Sequence, residues 1–152
     1  MKNLYKKDHY VRIVYRIQKI KPDTQALWGT MNVNQMICHC TDLLRIANSS
    51  KAEKFRGSFL LRTVGKFFFL KSSFNWPKNL PTSPAIDQNK GGTKPDEFES
   101  DKHLLLEQLQ HFSALPYEYE FPPHPAFGKL SRKQWGRIMW LHINHHLSQF
   151  GL

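Results

Sequence analysis

Two histidines, His142 and His146, stand one helical turn apart near the end of the chain, and a third, His39, interrupts an apolar stretch near its start. Neutral imidazole ligates divalent transition metals well, and a His-x-x-x-His pair on a helix stacks its two rings one above the other. On an ideal helix each residue advances about 100°. After Ser131, the residues Trp135, Ile138, Met139 and Ile143 then form an inward stripe with His142 in its middle. By the same arithmetic His146 lies about 40° to one side and Gln149 about 20° to the other. His145 falls on the flank and is the weaker candidate. In the earlier stretch Met36, Leu43, Ile46 and Ala47 give the inward face, with His39 between them. Two helices therefore each place histidine where an apolar residue is the default. A buried polar group without a partner is costly. One divalent ion would satisfy all three rings and keep coordination positions open for water or substrate.

Each of these residues also has a plainer reading. A lone inward histidine is more often a hydrogen-bonded core residue than a ligand; agreement in facing between two helices is what favours a metal. His103 and His111 lie away from the apolar stripe of their segment and read as solvated, and His9 sits near the N-terminus. His124 occupies a proline-rich loop, where it either shapes the loop or approaches the site. Cys40 points about 100° from His39, which suits packing rather than ligation. Asp42, about 60° away, could orient an imidazole, act as a base or be a solvated carboxylate. Gln35, one turn before His39, and Gln149 could likewise aim polar groups at a metal. There is no phosphate-binding glycine loop, nucleotide fingerprint or Gly-x-Ser-x-Gly elbow.

Four segments have the periodicity of helices that could hold these residues. The first carries Tyr10, Ile13, Val14, Ile17 and Ile20 at helical spacing, with Asp8 as the expected N-cap and Pro22 as the stop. The second is expected over 33–47, after the turn at Trp28-Gly29-Thr30. The third is expected over 96–114, with Phe98, Leu105, Leu109 and Phe112 on one stripe and Pro116 closing it. The fourth begins at Ser131, where Ser131 and Gln134 have capping-box spacing, and runs to about Phe150 before Gly151. A long connection, 48–95, separates the second and third. Its semi-apolar piece, 59–70, reads as a short helix or an extended excursion, and 76–92 reads as loop. A connection of this length commonly lids a site or is partly disordered. The loop 116–129, dense in proline and aromatics, is expected to pack.

The 152 residues suit a single domain spanning 1–152, and 40% hydrophobic content is a globular composition. Cys38 and Cys40 are too few and too close for a disulfide framework, which fits a reducing compartment. No signal-peptide core is visible and the longest apolar run is far too short to cross a bilayer, so a cytoplasmic protein without a membrane partner is expected. The formal net charge of +10 could attract nucleic acid, an anionic membrane surface or an acidic substrate. The basic residues are spread from Lys2 to Lys133, however, and the nearest thing to a patch is Lys51, Lys54, Arg56, Arg62, Lys66 and Lys71. Without a reading motif, nucleic-acid binding is not expected.

The motif set itself is informative: Trp28-Gly29-x-Met31 leading to Gln35-Met36-x2-His39, then His124-Pro125-x-Phe127-Gly128-x-Leu130, Gln134-Trp135-Gly136, and His142-x2-His145-His146-Leu147-x-Gln149-Phe150-Gly151. In this order, over nearly the whole chain, it resembles an uncharacterised branch of the DinB/YfiT-like superfamily of metalloenzymes. The resemblance implies an all-α four-helix bundle with a long, partly irregular connection between helices 2 and 3. It also implies a divalent transition metal (zinc, nickel or iron) held by His39, His142 and His146, the three that facing selects. Relatives in the superfamily include thiol-dependent transferases and isomerases that use low-molecular-weight thiols, and homodimers are common among them. The expectation is a metal-dependent enzyme that activates a thiol or a water on a small-molecule substrate. The alternative is a non-catalytic bundle with a structural metal.

Overall fold

The computed structural model describes residues 1–54, 57–71 and 76–152, and among these it is all-helical. Helix α1 spans Lys7–Gln18, α2 Val33–Ala47, the short α3 Lys66–Lys71, α4 Phe98–Ala114 and α5 Arg132–Gln149. The start of α2 is set by a capping box: Asn32 accepts from the Gln35 amide (2.9 Å) while Gln35 Oε1 accepts from the Asn32 amide (3.0 Å). Gln35 therefore spends its side chain on the helix end and does not reach towards His39. Ser131 and Gln134 cap α5 in the same reciprocal way, and Gly151 past its end takes φ +75°, the left-handed conformation that suits a residue without a Cβ.

Helix α1 corrects one expectation. Lys6, with extended backbone and no side-chain cap, occupies the N-cap, and Asp8 lies inside the first turn. There its negative charge still complements the N-terminal end of the helix dipole. The helix ends at Gln18, ahead of Pro22, which has no backbone N–H with which to continue it. Ile20 is buried all the same, just beyond the last turn.

Ile13 and Ile17 of α1, the expected stripe of α4, and Trp135, Ile138, Met139 and Ile143 of α5 all enter one core with Met36, Leu43, Leu44 and Ile46 of α2. Helix α2 packs on both α4 and α5, and so does α1. The N-terminal segment closes against α5 where Gly136 has no side chain: the Leu4 amide donates to the Gly136 carbonyl (3.0 Å), and Asn3 Nδ2 donates to the Lys133 carbonyl (2.8 Å). A Cβ on Gly136 would lie 2.3 Å from Asn3 Oδ1. The 116–129 loop packs as expected, with the Phe121 ring stacked on Trp135 at 5.7 Å and the Tyr119 hydroxyl donating to the Ala47 carbonyl.

The long connection is helical over part of its semi-apolar piece, a wide turn at Leu61–Gly65 leading into α3. Phe59, Leu60, Val64, Phe67 and Phe68 of this piece are exposed. Arg56 of the basic stretch lies outside the described residues. The later part of the connection is tied to α2 by Asp42, whose side chain is fully buried. Its carboxylate accepts from the Thr93 amide (2.8 Å), Thr93 Oγ1 (2.6 Å) and Gln88 Nε2 (3.3 Å), and pairs with Lys51 Nζ at 2.7 Å. Removing one partner of a buried ion pair leaves the other groups unsatisfied. Asp42→Ala should lower unfolding free energy by about 3–5 kcal/mol in urea titrations; a loss below about 1 kcal/mol would show that the tether is not structural.

Candidate metal centre

Facing on α2 and α5 brings His39, His142 and His146 together. All three are buried, and one nitrogen from each lies within 4.8 Å of the others. Their ring centroids form a nearly equilateral triangle with sides of 4.8, 4.6 and 4.7 Å. His39 Nε2 and His142 Nε2 are 2.9 Å apart.

Two of the rings have their protonation pattern set from behind. His39 Nδ1 lies 2.6 Å from the Ile86 carbonyl, which can only accept, so Nδ1 carries the hydrogen and Nε2 presents a bare lone pair. Ile86 comes from the long connection, in a single turn at Pro84–Ile86 that packs on α2. His146 Nδ1 lies 2.9 Å from Gln149 Oε1. The Gln149 amide is oriented in turn, because its Nε2 donates to the Trp28 carbonyl at 2.8 Å. That leaves Oε1 to accept from His146 Nδ1–H and frees His146 Nε2. Gln149 thus orients a ring and is not itself aimed at a metal. Gly29 permits the arrangement: its φ is +85°, and a Cβ there would lie 2.5 Å from Gln149 Nε2.

Burial holds the imidazoles neutral. His142 and His146 are driven well below the ordinary histidine value by desolvation, reinforced by repulsion from neighbouring rings. His39 is lowered by desolvation, against the opposing pull of its Ile86 bond and of Asp42 and Asp87. Neutral nitrogens are the form a metal requires. The donor set fits a divalent ion on two further observations. Two nitrogens bound tetrahedrally to one zinc at about 2.0–2.1 Å stand roughly 3.3 Å apart, and the 2.9 Å pair within a 4.8 Å set lies around that spacing. Among the described residues His142 Nδ1 is buried with no hydrogen-bond partner, and the ring's one hydrogen bond is the 2.9 Å contact of its Nε2 with His39 Nε2, so half of its polar capacity is unmet within the protein.

The other candidates separate cleanly. His145 is half-buried, with its ring edge-on to Trp28 at 4.8 Å, and is not part of the three-nitrogen group. His124 is buried, but its Nδ1 accepts from the Ala126 and Phe127 amides, so it shapes its loop; burial pushes its pKa down to about 3. His103 and His111 are exposed, as their position off the stripe implies. Cys38 and Cys40 are free and buried, and desolvation raises both thiols, Cys38 to about 12, which makes them poor nucleophiles. Asp42 holds the connection, not an imidazole. The Ile86 carbonyl was beyond sequence reasoning because a main-chain acceptor carries no residue signature.

A family model described as "Protein of unknown function (DUF1569)" matches residues 7–151. No curated protein and no solved structure matches the chain.

Contacts that orient ligating histidines are commonly worth about 10–100-fold in metal affinity. Gln149→Leu should weaken zinc binding by that factor in chelator competition, and Gly29→Ala, which displaces the Gln149 amide, should act in the same direction. Unchanged affinity in both variants would exclude the relay. A pH dependence follows as well. Unfolded histidine protonates near 6.5, whereas His39, His142, His146 and His124 stay neutral below that. Their contribution to metal-free stability is complete above 6.5 and is lost as pH falls from there towards the folded-state values, at up to about 1.4 kcal/mol per pH unit for each ring. Urea midpoints measured at pH 7.5 and 5.5 should show the drop; equal midpoints would contradict it.

Proposed function

This chain is a member of the DUF1569 family of unknown function, and from the site itself we propose that it is a metal-dependent enzyme in which His39, His142 and His146 hold one divalent transition metal. The observation that carries the reading is the convergence of three neutral, buried imidazoles with no fourth histidine, cysteine or carboxylate in the group among the described residues. Bound there, the ion would supply Lewis acidity that deprotonates a thiol or a water, for S-transfer or hydrolysis. The chain's own contribution is positional. Ile86 and Gln149 hold two rings in the ligating tautomer, and burial keeps bulk water from the nitrogens. His145, half-buried beside His146 at 5.1 Å between ring centroids, offers a place for the proton that a thiol or water gives up.

The packing of α1 and α2 on both α4 and α5 supports a four-helix bundle of the DinB/YfiT-like kind. We read residues 1–152 as a single cytoplasmic domain that acts on a small molecule, with a low-molecular-weight thiol as the leading co-substrate, and works as a homodimer without nucleic acid or membrane. Among the described residues no helix is long and apolar enough to cross a membrane.

One observation favours a second reading, a structural metal: the rings are only 3, 6 and 8% exposed for His39, His142 and His146. That reading calls for a protein side chain in the remaining coordination position. The two candidates for it, Gln35 and Asp42, are engaged elsewhere. Elemental analysis of untagged protein should find about one metal per chain and a loss of most of it in His142→Ala. The metal-loaded protein should conjugate a low-molecular-weight thiol to a chromogenic electrophile at least about tenfold faster than His39→Ala. Full metal occupancy with equal rates would leave the structural reading; absence of metal from both proteins would overturn the centre.

A further inference from the structure

A cleft of about 580 Å³ opens beside the triad, between the N-terminal segment, the turn before α2, the end of α3 and the outer face of α5. Its walls concentrate two residue types. Trp28, Trp76 and Trp140, out of the chain's four tryptophans, line it. Lys2, Lys71, Lys78 and Arg137 line it too, and among the described residues no aspartate or glutamate does. The chain has 12 acidic residues, so a concave surface with several cations and no acid departs from an even mixture.

The cations are placed against the rings. Lys2 Nζ lies 4.8 Å from the Trp140 ring, Lys78 Nζ 5.3 Å from Trp28, and the Arg137 guanidinium 5.9 Å from Trp140. Lys2, Lys71 and Lys78 meet no carboxylate among the described residues. Arg137 also bonds the Lys2 and Leu70 carbonyls, joining two walls of the cleft. Flat indole faces accept planar rings by stacking, and clustered ammonium groups without counter-charge attract oxyanions.

The cleft and the triad share a partition. Trp76 lies 6.1 Å from the His142 ring and 6.0 Å from His145, and is edge-on to Phe69 at 5.3 Å. Its indole Nε1 is buried, without an acceptor among the described residues. His145 lines the cleft directly and touches His146 at 5.1 Å. By contrast, a larger cleft of about 1000 Å³ lined by Tyr5, Tyr119 and Arg132 includes none of these histidines.

We propose that this cleft binds a small molecule combining a planar aromatic ring with an oxyanion, carboxylate or phosphate, and that it is the substrate vestibule of the metal centre. The binding site stands on the cleft alone; its role as vestibule rests on the metal reading above. The probes are 2-naphthoate, 2-naphthyl phosphate and the uncharged 2-naphthalenemethanol, titrated against tryptophan fluorescence and by calorimetry.

Both anions should bind at least about tenfold more tightly than the alcohol, and the pair of anions distinguishes carboxylate from phosphate preference. Charge reversal at the exposed Lys2 and Lys78 (Lys2→Glu, Lys78→Glu) should remove that preference with the melting temperature unchanged. Trp28→Leu should weaken all three probes together. Equal binding of anion and alcohol, or retention of the preference in the charge-reversed double variant, would overturn the site. Anion binding should persist in His142→Ala, so failure of the metal reading alone leaves it intact. In cobalt-substituted protein the anion should shift the visible absorption of the metal; binding without a shift would overturn the vestibule role.

Discussion

Asp42 holds the part of the long connection that the candidate centre needs. A carboxylate in the interior is stable only when its lone pairs are filled, and here the partners come from beyond the end of α2: Lys51, Gln88 and Thr93. Meeting that demand draws the connection back over α2 and seats Ile86 where its carbonyl faces His39. An interior charge therefore fixes a loop, the loop supplies an acceptor, and the acceptor selects the tautomer of an imidazole. The core hydrophobics supply most of the burial, but they are non-directional and cannot choose which nitrogen carries a hydrogen.

The second orienting contact uses different parts to the same end. Gln149 lies within α5, while its anchor, the Trp28 carbonyl, belongs to the turn before α2, and Gly29 keeps that turn close. The Leu27 amide also donates to the Gln149 carbonyl at 2.8 Å, so the turn and the helix end are joined through both main chain and side chain. The two orienting contacts share no residue. His142 has neither kind of support; its ring rests against Trp76 and the other two imidazoles.

Much of this was legible beforehand, and the pattern of what was missed has a physical basis. The bounds of α2 followed from its hydrophobic periodicity, and the capping box at Ser131 located the start of α5. Helix facing alone chose His146 over His145, since the angle between them is large and only one side of α5 meets α2. Facing says where a side chain points, however, and not what stands opposite. Asp42 was placed correctly on its helix, yet two of its partners, Gln88 and Thr93, lie 46 and 51 residues further on. Gln35 and Asn32 had the spacing of a cap, but a glutamine one turn from a candidate ligand suggested the other use. Asp8 misled because a capping-type residue just after Lys6 and Lys7 looks the same whether the helix starts before or after it.

His39 and His142 are separated by 103 positions, and Trp28 and Gln149 by 121. Local structure can preform the His142–His146 pair, since both rings ride on one helix, but no fragment ending before α5 contains the full set. The three-nitrogen site comes into existence only when the last helix docks on the second, after the entropy of closing a loop of that length has been overcome. Ligation by all three rings is then a property of the complete fold, and an ion bound there acts as a clasp fastened at the end of assembly instead of a seed at its beginning.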